Sequence, residues 1–284
     1  MVQTEHYQVA GLIVNVYTVE SLTHSNRPVI VLFFLHGRNG SAAKIEDMTK
    51  VILESSCNAN NTYDLAIVTF DHRNHGSRVR DPNPNRGWSR NPEVSNERHA
   101  LDMYAIQTGT AADVSFLIDF LPAYLFPTGN RSIKTWGVAG KSLGGHSAWL
   151  ALGQDERISF GIPIIACPDY LKLMEKRASR FSLPIAPPYF PASLIELVRR
   201  RDPVMKAFDR VDDANPYLGK KVLVLSGGAD KLVPWEASRE FVEKLAVGPS
   251  GVKKVLVVEG VGHECTPEML ATAGQFVGEE ILSD

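Results

Sequence analysis

A chain of 284 residues is long enough for one large α/β domain or two small ones, with a substantial buried core. Its composition, 44% apolar and 22% charged, is ordinary for a soluble globular protein, and a net charge of −2 gives no electrostatic case for nucleic acid or an anionic membrane. No apolar run approaches a membrane span; the longest, Val29 to Leu35, has strand length.

The first residues, Met1 to His6, carry neither a basic nor an apolar leader segment. Cys57, Cys167 and Cys265 are an odd number without CxxC spacing, so the expected compartment is the reducing cytoplasm. Weak alternation from Leu12 to Val19 predicts an early antiparallel strand. Val29 to Leu35 is continuously apolar, as in a strand buried on both faces. A helix is predicted over Ala43–Ser56 and a second buried strand over Leu65–Phe70, ending at Asp71. Residues 72–96, rich in Arg, Asn, Pro and Gly, form a long loop above the sheet, followed by a helix from Glu97 to Leu121. Next come a strand over Ile133–Ala139, a helix over Leu143–Leu152 and a strand over Phe160–Cys167.

Residues 168–216 change texture. Prolines punctuate short helical pieces, Leu171–Arg180 and Ala192–Arg200, and the segment reads as a small cap inserted across an open face. A strand at Lys221–Leu225, a helix from Trp235 to Leu245, a strand at Val255–Val258 and a closing helix over Thr266–Leu282 complete the chain. Strands alternating with helices predict an α/β fold: a mostly parallel central sheet with helices on both faces, one domain over residues 1–284 with the cap inside it. Such sheets bind ligands beyond the carboxyl ends of their strands.

The chemistry-bearing residues fall at those ends. Gly140-Lys141-Ser142-Leu143-Gly144 follows a predicted strand and opens a predicted helix, the pattern of a nucleophile elbow. Asp230 follows the Leu223–Ala229 run, and His263 follows Val255–Val258 through a Gly-rich turn. A serine hydroxyl needs a base to take its proton, and the base needs a carboxylate to fix its tautomer; Ser142, His263 and Asp230 supply all three. Asp169 is a rival acid, just after the strand ending at Cys167. His36-Gly37-Arg38-Asn39-Gly40 follows the Val29–Leu35 strand and is the expected oxyanion loop, with the backbone N–H groups of Arg38 and Leu143 as donors and His36 as a structural residue. A glycan on the Asn39-Gly40-Ser41 sequon would obstruct that loop, a second reason to expect the cytoplasm. Cys265, close to His263, reads as a small residue at the start of the closing helix.

These segments carry a resemblance. His-Gly-x-x-Gly, Gly-Lys-Ser-Leu-Gly-Gly-His, Gly-Gly-Ala-Asp-Lys-Leu-Val-Pro and Gly-Val-Gly-His-Glu-Cys-Thr-Pro-Glu-Met are similar to motifs of the α/β-hydrolase superfamily. The nearest branches are the dienelactone hydrolases, carboxylesterases and acylaminoacyl peptidases. The resemblance implies a cofactor-independent serine hydrolase working through an acyl-enzyme, with Ser142, Asp230 and His263 as its triad. One departure is the nucleophile: dienelactone hydrolases usually carry cysteine, and this chain has serine. The same triad also serves acyltransferases, thioesterases, lactonases and C–C hydrolases. A non-catalytic binding protein on this scaffold has no need for all three groups.

Asp71-His72-Arg73-Asn74-His75-Gly76-Ser77-Arg78 resembles the Asp-x-Arg-x-His-Gly segment of many superfamily members and reads as a polar network bracing the site floor; its spacing matches no metal site. Arg73, Arg78, Arg86 and Arg90 are candidate anchors for a substrate carboxylate. Gly-Lys-Ser is not a P-loop, because Thr135 stands where the first glycine would be needed. Trp88, Tyr170, Phe181 and Trp235 are the candidate substrate contacts, and Tyr189 and Phe190 accompany them. Aromatics in an insertion either roof a pocket or form the insertion's own core. The expected partner is a small or medium ester or other acyl compound, with no metal or cofactor. Nothing in the sequence fixes the oligomeric state.

Overall fold

The computed structural model of the protein describes residues 2–19, 25–58 and 60–283; Met1 and Asp284, the ends of the expected domain, lie outside them. A hairpin opens the chain, β1 (Gln3–Val9) and β2 (Leu12–Thr18), joined by Ala10 and Gly11, both at positive φ as a primed two-residue turn requires. The sequence did not announce β1, because most of its side chains are polar and at least partly exposed.

Six more strands follow: β3 (Val29–Leu35), β4 (Asp64–Phe70), β5 (Ile133–Lys141), β6 (Ile158–Ile164), β7 (Lys221–Gly227) and β8 (Val252–Val258). They form one eight-stranded sheet in the order β1-β2-β4-β3-β5-β6-β7-β8. The β1–β2 and β2–β4 pairings are antiparallel, and the others are parallel. Every residue of β3 is buried. Val29, Val31, Phe33 and Leu35 enter one core and Ile30, Leu32 and Phe34 the other, the period of two that places alternate side chains on opposite faces. Helices α1 (Glu46–Ser55) and α7 (Pro267–Glu280) cover the second face. The first face carries α2 (His99–Leu125), α3 (Leu143–Gln154) and α6 (Trp235–Lys244).

Several boundaries differ from expectation, among them three that shift by three or four residues at one end. Strand β6 stops at Ile164 rather than Cys167, because Ile165 takes a positive φ of 46° that no strand tolerates. Strand β8 starts three residues early, at Val252; Lys253 and Lys254 hid it, as lysines on an edge strand do. Helix α2 runs to Leu125 through Pro122, which lies within its last turn.

Between β6 and β7 lie α4 (Tyr170–Ser179) and α5 (Ala192–Arg201). They close a separate apolar cluster in which Tyr170, Met174, Phe190, Leu194 and Val198 pack with Trp88, with Ala100 and Tyr104 of α2, and with Leu143. The insertion is thereby held to the body at the carboxyl end of β5, beside the turn that carries Ser142.

Candidate active site

The elbow is built by close backbone approach. Ser142 follows β5 and caps α3 with φ 52° and ψ −114°, a conformation that costs an L-residue about 1–3 kcal/mol. Its N–H donates to the Ile164 carbonyl at 2.9 Å, and its own carbonyl accepts from His146 N–H at 2.9 Å. A Cβ on Gly144 would lie 2.3 Å from the Leu35 carbonyl oxygen, and one on Gly140 would lie 2.5 Å from Gly144 itself. Helix α3 therefore starts against the end of β3 with no room for a side chain. Gly144→Ala is expected to destabilise by at least the ~1–3 kcal/mol of an overpacked core, because the obstructing atoms are backbone; urea denaturation beside wild type measures the loss.

The structure brings the three separated residues together. Ser142 Oγ–H donates to His263 Nε2 at 2.8 Å, and His263 Nδ1–H donates to Asp230 Oδ2 at 2.7 Å. The Asp230 side chain is fully buried, while His263 is 22% exposed. Burial alone would raise the Asp230 pKa. The hydrogen bond from His263 and the N–H groups of Val233 (2.9 Å) and Leu232 (2.8 Å) outweigh it, holding the carboxyl below its ordinary value. Asp169 is occupied otherwise: it caps α4, accepting from Lys172 N–H at 3.0 Å.

A cleft of about 390 Å³ opens over Ser142 and His263, lined also by Gly37, Arg38, Lys141, Leu232 and Glu264. Arg38 belongs to the turn after β3, and Leu143 is the first residue of α3. Among the described residues, neither N–H is used in a backbone hydrogen bond. Beneath the turn, His36 donates from Nδ1 to the Gly37 carbonyl (2.8 Å), accepts at Nε2 from His72 N–H (3.0 Å) and stacks on the His72 ring at 3.7 Å. Burial pushes His36 down to about 4, so it is a neutral brace. Asp71 extends the bracing by accepting from Ala42 N–H, Ser77 N–H and Ser77 Oγ.

Three of the four arginines singled out in the sequence, all but Arg90, have partners within the fold. Arg73 and Arg78 both pair with Asp113 at 2.8 Å, and Arg86 donates to the Glu93 carbonyl. Of the aromatic candidates, Trp88 and Tyr170 are buried in the cap cluster and Phe181 packs against it. Trp235 packs on the core of the first sheet face. None of the four is among the cleft-lining residues. Tyr170 spends its hydroxyl on the Ala100 carbonyl (2.5 Å) and Trp88 its indole N–H on the Glu97 carbonyl (3.2 Å). Cys265 lines the cleft, but burial pushes its thiol up to about 11, which suits a packing role. The residue that sequence reasoning missed is Arg177, on α4, which donates to the carbonyl of the cleft residue Leu232. It stands in an Arg- and Lys-rich helical stretch with nothing local to set it apart.

No family model matches the sequence, and neither does any curated protein. Solved structures do match in shape. TT1662 from Thermus thermophilus superposes with a TM-score of 0.68 at 22% identity, over 98% of this chain and 97% of that one. Est1E from Butyrivibrio proteoclasticus, solved with ferulic acid bound, gives 0.56 at 18% identity, over 95% and 96%. The chain has the α/β-hydrolase fold. Acylaminoacyl peptidase from Pyrococcus horikoshii shares this α/β-hydrolase fold at a TM-score of 0.60 and 12% identity; all of the present chain aligns with 42% of that one. Among the described residues, no helix is long and apolar enough to cross a membrane.

Proposed function

We propose that the protein is a serine hydrolase of small or medium carboxylic esters. The observation that carries this reading is the continuous hydrogen-bonded line from Ser142 Oγ through His263 to buried Asp230, with the serine held in a strained elbow. In the first half-reaction Ser142 Oγ attacks the ester carbonyl carbon and its proton passes to His263 Nε2. Asp230 holds the ring by Nδ1 and stabilises the imidazolium. The carbonyl oxygen, now an anion, accepts from the N–H groups of Arg38 and Leu143. Collapse of this intermediate breaks the bond to the alkoxy group, which leaves as the alcohol with the proton from His263. Water then attacks the acyl-serine, giving its proton to His263, and Ser142 regains it as the acid departs. The occurrence of esterases among the structures sharing the fold supports the assignment.

Fluorophosphonate labelling with mass-spectrometric location of the adduct tests it. The expected adduct lies on Ser142 and is lost in Ser142→Ala and His263→Ala. A folded wild-type sample that takes up no label removes the activated serine and this reading with it.

A further inference from the structure

The charge around Ser142 runs against that of the chain. The protein is net negative by two, yet the cleft is lined by Arg38 and Lys141, opposed only by the exposed carboxylate of Glu264, since Asp230 is committed to His263. Arg177, on cap helix α4, abuts the cleft at Leu232. Its Nη2 lies 3.4 Å from the Leu232 carbonyl, its Nη1 3.7 Å from Met174 Sδ, and its Nε is buried with no partner. Among the described residues no carboxylate pairs with Arg38 or Arg177. Other partly buried arginines are compensated: Arg78 by Asp113, Arg131 by Asp64, Arg157 by Asp155.

The two uncompensated guanidinium groups act on the same region. Burial, and after it the charge of Arg38, pulls Arg177 down to about 10. Burial first, then both arginines, drives His99 down to about 3. The Arg38 guanidinium lies on the cap side, where a Cβ on Gly87 would be 3.5 Å from Arg38 Nη1 and 3.9 Å from His99 Nε2. Two like charges drawn out of water with no counter-charge are costly, and an arriving anion relieves that cost. A guanidinium fork matches the oxygens of carboxylate or phosphate.

We infer that Arg38 and Arg177 clamp an anionic substituent of the substrate, a carboxylate or phosphate on the cap side of the scissile carbonyl. Preferred substrates are therefore esters carrying a second, negatively charged group. The inference rests on the serine-hydrolase reading. It gives the Arg38 side chain a task separate from that of its backbone N–H, and it moves the anion anchor from the loop arginines to the cap.

The test compares monomethyl esters of dicarboxylic acids, and methyl esters ending in a phosphate monoester, with neutral methyl esters of equal length. Wild type is expected to favour one of the anionic series at least ~10-fold in kcat/KM, and the better series identifies the anion. Arg177→Gln is expected to shrink that ratio ~10- to 100-fold, mainly through KM, the range for losing a charge-assisted hydrogen bond, while Arg177→Lys retains part of it. Its Tm is expected to equal or exceed that of wild type, because an uncompensated buried charge is removed. An enzyme that labels at Ser142 but prefers neutral esters overturns the clamp and leaves the hydrolase standing. So does an Arg177→Gln variant with an unchanged ratio. Failure of Ser142 to label removes both.

Discussion

Ser142→Ala is expected to lower kcat on a preferred ester by about 10⁴–10⁶-fold, with the fold retained. The size follows from the line of hydrogen bonds. With Oγ gone, neither His263 at 2.8 Å nor Asp230 behind it has a nucleophile to serve, and only binding and the oxyanion donors remain. A stability measurement on the same residue separates chemistry from architecture. At φ 52° and ψ −114° any L-residue is strained, so alanine inherits the strain, whereas glycine is released from it. Ser142→Gly is accordingly expected to be more stable than Ser142→Ala by about 1–2 kcal/mol in urea denaturation, although both lack activity. Equal stability would mean that the elbow stores no strain. Retained ester turnover in either variant would mean that Ser142 is not the nucleophile.

What the sequence made legible was what local pattern controls. Strand β3 was readable to the residue, because a run buried on both faces has no polar interruption. The elbow was readable because Gly140 and Gly144 stand where backbone meets backbone, and no other residue fits. Strand β1 was not, since its neighbour β2 holds it by backbone hydrogen bonds while its side chains stay largely polar. The choice between Asp230 and Asp169 depended on flanking motifs in the sequence; in the structure it rests on contact, one carboxylate meeting His263 and the other capping α4. Least legible was the cap. Tyr170 and Trp88 look alike as core or as pocket lining until their polar atoms are seen bonded to the Ala100 and Glu97 carbonyls. Arg73 and Arg177 look alike as anchors until Asp113 is seen to neutralise the first and, among the described residues, no carboxylate the second.

Unfolding free energy is expected to fall by about 4 kcal/mol between pH 7.5 and 5.5, from three buried histidines alone. Burial is the leading cause in each: it drives His36 down to about 4, and His99 and His146 down to about 3. Each is neutral when folded and free to take a proton near 6.5 when unfolded. Between those values the unfolded chain binds more protons, so stability is complete above about 6.5 and is lost as pH falls toward the folded values. Each group contributes about 1.4 kcal/mol per pH unit in that window. His72 and His75, also lowered mainly by burial, act in the same direction. Asp202 opposes them, since burial raises its carboxyl well above the ordinary value. One group against five does not reverse the sign. Asp71 and Asp230, held below the ordinary carboxylate range, add their loss only in more acid solution. His146 offers a direct check, because its Nδ1 lies 3.1 Å from the Cys167 N–H and 2.9 Å from the Cys167 carbonyl, contacts that an asparagine amide can replace. His146→Asn is expected to shrink the difference between the two pH values by about 1.4 kcal/mol, one histidine's share, in urea titrations at pH 7.5 and 5.5. A wild-type free energy that is the same at both would mean that these histidines titrate normally in the folded protein, against their burial beneath the site.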